Sequence, residues 1–162
     1  MSDVRIDRVD ALGMITLRGA VEVLAPTVES VLGLDLPDQR LMVTAGGRAV
    51  LWMSPDEFLV ICDHSDAPEL AARAMAALDG QFATVAVVSD ARAVFDLQGG
   101  DPQAVLSKLA PVDFAALADA EVRRTRLAQV PAAFWRHADG YRLVCFRSVA
   151  VYVQELLENA AA

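Results

Sequence analysis

Histidine and cysteine are scarce, two of each in 162 residues, and without a CxxC pair no zinc site of the usual His/Cys kind is suggested. Cys62 and Cys145 lie 83 positions apart and neither belongs to a CxxC pair, which excludes a disulfide framework and leaves both thiols reduced. Positive charge is also short. Fourteen basic against 22 acidic residues give a net charge of -8, which repels phosphate backbones and anionic lipid, so neither nucleic acid nor a membrane surface is an expected partner. No stretch approaches the roughly 18 uninterrupted apolar residues of a bilayer span. The opening Met-Ser-Asp-Val-Arg has no basic region followed by an apolar run, so a cytoplasmic location is expected.

Apolar residues are plentiful, at 55% of the chain. A chain of this length buries about 70% of the surface its unfolded form exposes, so one continuous core, or two small ones fused, is expected within one compact domain. With a mean hydropathy of +0.36, a buried core plus a partner-facing surface is the natural reading.

The pattern alternates strands and helices. Residues 12–17 read as a strand closed by Gly19, and 23–32 as a helix with Leu24, Val28, Val31 and Leu32 on one face. Two apolar runs, 41–45 and 48–53, flank Gly46-Gly47, the turn of a tight hairpin, and 57–62 supplies the next strand after Ser54-Pro55-Asp56. Asp66 and Glu69 have capping-box spacing ahead of a helix that stops at Gly80. Strands follow at 83–88 and 92–97, and then Asp101-Pro102 opens a short helix. Strands near 123–129, 132–137 and 141–146 come next, the last two joined at Asp139-Gly140. A final helix is capped by Ser148, with Val149, Tyr152, Val153, Leu156 and Leu157 inward and 160–162 frayed.

The second half repeats the first. Thr16-Leu17-Arg18-Gly19 falls on Asp96-Leu97-Gln98-Gly99 at an offset of 80, and after a three-residue gap Trp52, Phe58 and Cys62 fall on Trp135, Tyr141 and Cys145 at 83. We read an α+β domain over residues 1–162, made of duplicated βαββ(β)α half-units at about 11–80 and 91–160. A pseudo-twofold axis would relate them, with mostly antiparallel sheets and helices on one face.

Few residues suggest chemistry. Asp63-His64-Ser65-Asp66 has hydrolase residue types, but four neighbours in sequence cannot converge on one substrate, so a strand-to-helix turn fits better. His137 reads as a solvent-facing turn residue. Gly99-Gly100-Asp101 lacks the spacing of a nucleotide loop, and Asp101 would repel an anion, which favours a simple cap. Cys62 and Cys145 end apolar runs and read as core residues. The basic run Arg123-Arg124-Thr125-Arg126 puts Arg124 and Arg126 on one strand face and Arg123 on the other. Interface ion pairs, a carboxylate-bearing ligand and ordinary surface arginines all remain open for it. Asp90 and Arg92, between two strands, either pin a turn or line a pocket.

Taken in succession, Leu51-Trp-Met-Ser-Pro-Asp-Glu-Phe-Leu-Val60, Val88-Ser-Asp-Ala-Arg92 with Phe95-Asp-Leu-Gln-Gly99, Arg124-Thr-Arg-Leu-Ala128 and Arg147-Ser-Val-Ala150 resemble the gamma subunits of heterotetrameric sarcosine oxidase. The resemblance implies a non-catalytic subunit supporting oxidative demethylation of sarcosine to glycine. It implies no cofactor on this chain: alpha and beta subunits would hold nicotinamide, flavin and folate, and a delta subunit zinc. Asp90, Arg92, Arg123, Arg124 and Arg126 are the candidate contacts to those partners or to a ligand, and self-association of the isolated chain stays open. The same fold is similar to folate-binding, aminomethyltransferase-like domains, which supplies the alternative of a stand-alone folate-binding or one-carbon-handling protein.

Overall fold

A computed structural model describes residues 3–162. In chain order the elements are β1 (Arg5–Val9), β2 (Leu12–Gly19), α1 (Val21–Leu32), β3 (Met42–Ala45), β4 (Arg48–Ser54), β5 (Glu57–Asp63), α2 (Ala67–Ala77) and β6 (Ala83–Val87). Then come β7 (Arg92–Gln98), α3 (Pro102–Ser107), β8 (Val122–Leu127), β9 (Val130–His137), β10 (Gly140–Phe146) and α4 (Ala150–Ala161). They form two compact units, one of residues 11–89 and one of 3–10 with 90–162, each holding a five-stranded antiparallel sheet. The expected α+β class holds.

The unit of 11–89 has strand order β3-β4-β5-β2-β6. Alternate residues of its strands, Ile15 and Leu17 on β2 and Phe58, Val60 and Cys62 on β5, point to one face, where α1 lays Leu24, Val28 and Val31 and α2 lays Leu70 and Ala74. Full burial of a side chain such as Phe58 stabilises by about 2–3 kcal/mol. The hairpin read at Gly46-Gly47 is present: both glycines have positive φ, as a two-residue turn requires, with Ala45 opposite Arg48. Asp66 departs from expectation, since its side chain makes no cap hydrogen bond and instead lies 3.8 Å from Arg48.

The unit of 3–10 with 90–162 has order β1-β7-β10-β9-β8. Phe95, Leu97, Phe134 and Leu143 face a core closed by Val105 and Leu106 of α3 and Val153 and Leu157 of α4. Phe114 stacks on Phe134 at 5.5 Å, and Tyr141 meets Phe114 edge-on at 5.7 Å. Asp101 caps α3 as expected, its Oδ1 accepting from the Ala104 N–H at 2.9 Å. Four expectations for the last third of the chain are corrected. Ser148 lies inside a 3-10 turn, Arg147–Val149, rather than capping α4. The buried stripe of α4 is Ala150, Val153, Leu157 and Ala160, so Tyr152 is exposed, and the helix continues to Ala161 because Ala160 is anchored in the core. The turn at the last hairpin is Ala138-Asp139, not Asp139-Gly140, because His137 pairs with Gly140. Gly140 serves a different purpose: a Cβ there would stand 1.9 Å from the Leu97 carbonyl oxygen.

The two sheets have the same strand order, β3, β4, β5, β2, β6 against β8, β9, β10, β7, β1. Leu17 faces Phe58 as Leu97 faces Tyr141, and Gly13 faces Cys62 as Ala93 faces Cys145. The tryptophans break the correspondence. Phe58 faces Trp52, but Tyr141 faces Arg136, so Trp135 stands one residue out of step and is buried on the opposite face of its sheet. A slip of one residue reverses the face of a strand, which is why sequence matching alone made them equivalent.

Candidate functional site

The basic run lies on β8, an edge strand, and the period of two separates its members. Leu127 belongs to the core, so Arg123, four positions before it, points to the core face. There Arg123 meets Glu121 at 2.5 Å, and Glu121, only 6% exposed, also accepts from the Ala118 N–H at 3.2 Å. Arg123 therefore holds the chain entering β8. Arg124 and Arg126 are exposed on the other face.

Arg92 begins β7, and its guanidinium lies 4.2 Å over the ring of Phe146, its cross-strand neighbour on β10. One step past the pair Cys145–Ala132, Phe146 stands beside Pro131 of β9, and Pro131 is opposite Arg126. Arg92, Phe146, Pro131 and Arg126 thus form one row across four strands, on the same face as Arg124. Three strand spacings of about 4.8 Å separate the Cα atoms of Arg92 and Arg126 by about 14 Å. Phe146 is 44% exposed, and Pro131 and Arg126 are open to solvent. Asp90 sits exposed in the 3-10 turn Ser89–Ala91. Ser89, rather than Asp90, is seen fixing that turn, its Oγ accepting from the Met14 N–H at 2.9 Å. Phe146 and Pro131 escaped the sequence reading because their place depends on the registers of three strand pairs.

No reactive cluster accompanies the row. Cys62 and Cys145 are buried, and burial pushes both thiols up, Cys145 to about 11. His137 ends β9 rather than lying in the turn and is half-buried, its Nε2 3.9 Å from Asp96, and burial followed by the charge of Arg142 lowers its pKa. Among the described residues no group of three His, Cys, Asp or Glu could hold a metal ion. A polar depression of about 470 Å³ is lined by Asp3, Arg5, Gln98, Gly99, Gly100 and Asp139, but Arg5 is already paired with Asp7 at 2.5 Å.

Residues 18–162 match the sarcosine oxidase, gamma subunit family. The chain belongs to that family. It is 38% identical over 109 residues to the sarcosine oxidase subunit gamma of an Arthrobacter species, an alignment covering 65% of this chain and 53% of that protein. The chain thus spans about half the length of the curated relatives it matches. In fold it is similar to a chain of heterotetrameric sarcosine oxidase from Corynebacterium sp. U-96, solved with pyrrole 2-carboxylate, with a TM-score of 0.85 at 24% identity over 98% of this chain and 86% of that one. The glycine cleavage system aminomethyltransferase T of Bartonella henselae is similar at a TM-score of 0.70 and 17% identity, over 99% of this chain and 49% of that one. The fold of this chain is thus similar to part of an aminomethyltransferase, as the resemblance implied.

Proposed function

We propose that this chain is the non-catalytic gamma subunit of a cytoplasmic heterotetrameric sarcosine oxidase, supporting the oxidative demethylation of sarcosine to glycine. The match of residues 18–162 to the gamma subunit family carries the reading. Flavin, nicotinamide, folate and zinc would reside on alpha, beta and delta partners, and Asp90, Arg92, Arg124 and Arg126 would contact a partner. We further take the two units as products of an internal duplication. The stand-alone folate-binding alternative has only the likeness of fold behind it.

Purifying the tagged chain from its own host under mild conditions tests this. The expected result is an assembly containing the larger sarcosine oxidase subunits, with flavin absorbance. A colourless lone chain that binds tetrahydrofolate would replace the subunit reading with the alternative.

A further inference from the structure

Resting on the subunit reading, we propose that the open edge of β6 takes up an extended segment of a larger subunit as an added strand, uncharged and rich in β-branched residues at its centre and basic at both ends. Among the described residues β6 ends its sheet, paired with β2 alone. The ladder fixes which groups lie open. One step past the pair Ile15–Val87, the Val88 N–H donates to the Met14 carbonyl at 2.8 Å, and bonded residues alternate along an antiparallel strand. Thr84 and Ala86 therefore also bond toward β2, whereas the N–H and C=O groups of Val85 and Val87 point away from the sheet. Those groups meet no partner among the described residues. Another extended backbone satisfies such a row; a helix, whose own groups are bonded within it, does not.

The other sheet edges are guarded. Charged side chains blunt an edge against pairing, and β1 carries Arg5, Asp7 and Arg8 while β8 carries Arg123, Arg124 and Arg126. β3 is four residues long and runs straight into the Gly46-Gly47 turn. β6, Ala-Thr-Val-Ala-Val, has no charge, and the uncharged run extends from Gly80 to Ser89. Its composition suits strand pairing.

Charge selects the occupant. The run is bounded by Asp79 and Asp90, both exposed. If a second copy paired its β6 antiparallel, centred on Val85, Asp79 of each chain would fall opposite Ala91 of the other and beside its Asp90, and like charges set across strands repel. Two chains of net charge -8 add to that repulsion. A segment with lysine or arginine at both ends meets Asp79 and Asp90 with attraction instead, whichever way it runs.

The test has two arms. A peptide with a central Thr-Val-Thr-Val-Thr between two Lys-Lys pairs is titrated at low salt against the whole chain, beside a counterpart with Glu-Glu pairs, and amide hydrogen exchange is followed by NMR. At least tenfold tighter binding of the basic peptide is expected, with exchange of the Val85 and Val87 amides slowed at least tenfold and both effects lost when the central residues are N-methylated. Equal binding of the two peptides, no binding in the millimolar range, or unchanged exchange at Val85 and Val87 would overturn the proposal. So would slowing of these amides with rising chain concentration and no peptide, which would give the edge to a second copy. In the second arm, two variants are co-expressed with the larger subunits: Val87→Pro, which removes an outward N–H and takes no bond from β2, and Asp79→Lys with Asp90→Lys. Unchanged thermal unfolding of the isolated variants shows that they fold, and the charge variant decides if Val87→Pro does not. A tenfold or greater loss of recovered complex relative to wild type supports the edge as the docking site. Equal assembly of wild type and a folded variant rejects the edge and leaves the subunit reading standing, whereas failure of wild type itself rejects that reading and the proposal with it.

Discussion

Asp96 and Arg142 face each other on β7 and β10 and close a two-bond ion pair, Oδ1 to Nε at 2.6 Å and Oδ2 to Nη2 at 2.7 Å, with side chains only 14% and 15% exposed. The corresponding positions of the other sheet, offset by 80 and 83, hold Thr16 and Leu59, which also face each other. One unit thus solves with charge what the other solves without it. Removing one partner strands the other in a nearly dry site. Asp96→Asn or Arg142→Leu alone should cost about 3 kcal/mol in chemical denaturation. Asp96→Thr combined with Arg142→Leu should recover most of that loss, and a double variant as weak as the sum of the singles would show that the pair is not replaceable.

His137 beside that pair makes stability depend on pH. Its folded pKa lies below the unfolded value of 6.5, by burial first and by Arg142 second. The unfolded chain therefore takes up this proton at higher pH than the folded one. The sign follows: stability from this group is full above 6.5 and declines as pH falls toward the lowered folded pKa. Melting temperature should drop on acidification through that window, and His137→Gln should flatten the slope. An identical pH profile in the variant would remove His137 from the account.

Local chemistry was legible in the sequence, and long-range register was not. Gly46-Gly47 and Asp101 announce their turn and cap because the responsible atoms lie within a few residues of each other. β1 was missed: Arg5-Ile-Asp-Arg-Val9 has only two apolar residues, three positions apart, so it lacks strand alternation, and its partner β7 lies about ninety positions away, with Arg5 opposite Gln98. The candidate site divides in the same way. The opposite facing of Arg123 and Arg124 follows from strand periodicity alone, but the neighbours that distinguish their surroundings, Glu121 beneath one face and Phe146 and Pro131 on the other, follow from folding.

The thiols offer a direct check on the cores. With Cys145 pushed up to about 11 and both cysteines buried at equivalent strand positions, neither supplies much thiolate near neutral pH. A disulfide reagent at pH 8 should leave both unlabelled in the native chain and label both after denaturation. Rapid labelling of either one in native conditions would show that its strand opens locally.

Tyr141 tests whether the aromatic core carries a surplus polar atom. Its ring meets Phe114 and Phe134 edge-on at 5.7 and 6.2 Å, while its hydroxyl is buried with no hydrogen-bond partner among the described residues. Burying an unsatisfied hydroxyl costs roughly 1–3 kcal/mol, and Phe58, the residue at the matching place in the other sheet, has none. Tyr141→Phe keeps the ring contacts and removes the oxygen. The substitution should raise stability by about 1 kcal/mol, read as a higher denaturation midpoint with an unchanged slope. A loss of stability would mean that the hydroxyl is hydrogen-bonded in solution, through an ordered water or a shifted Arg136, whose guanidinium lies 5.6 Å from the ring centroid.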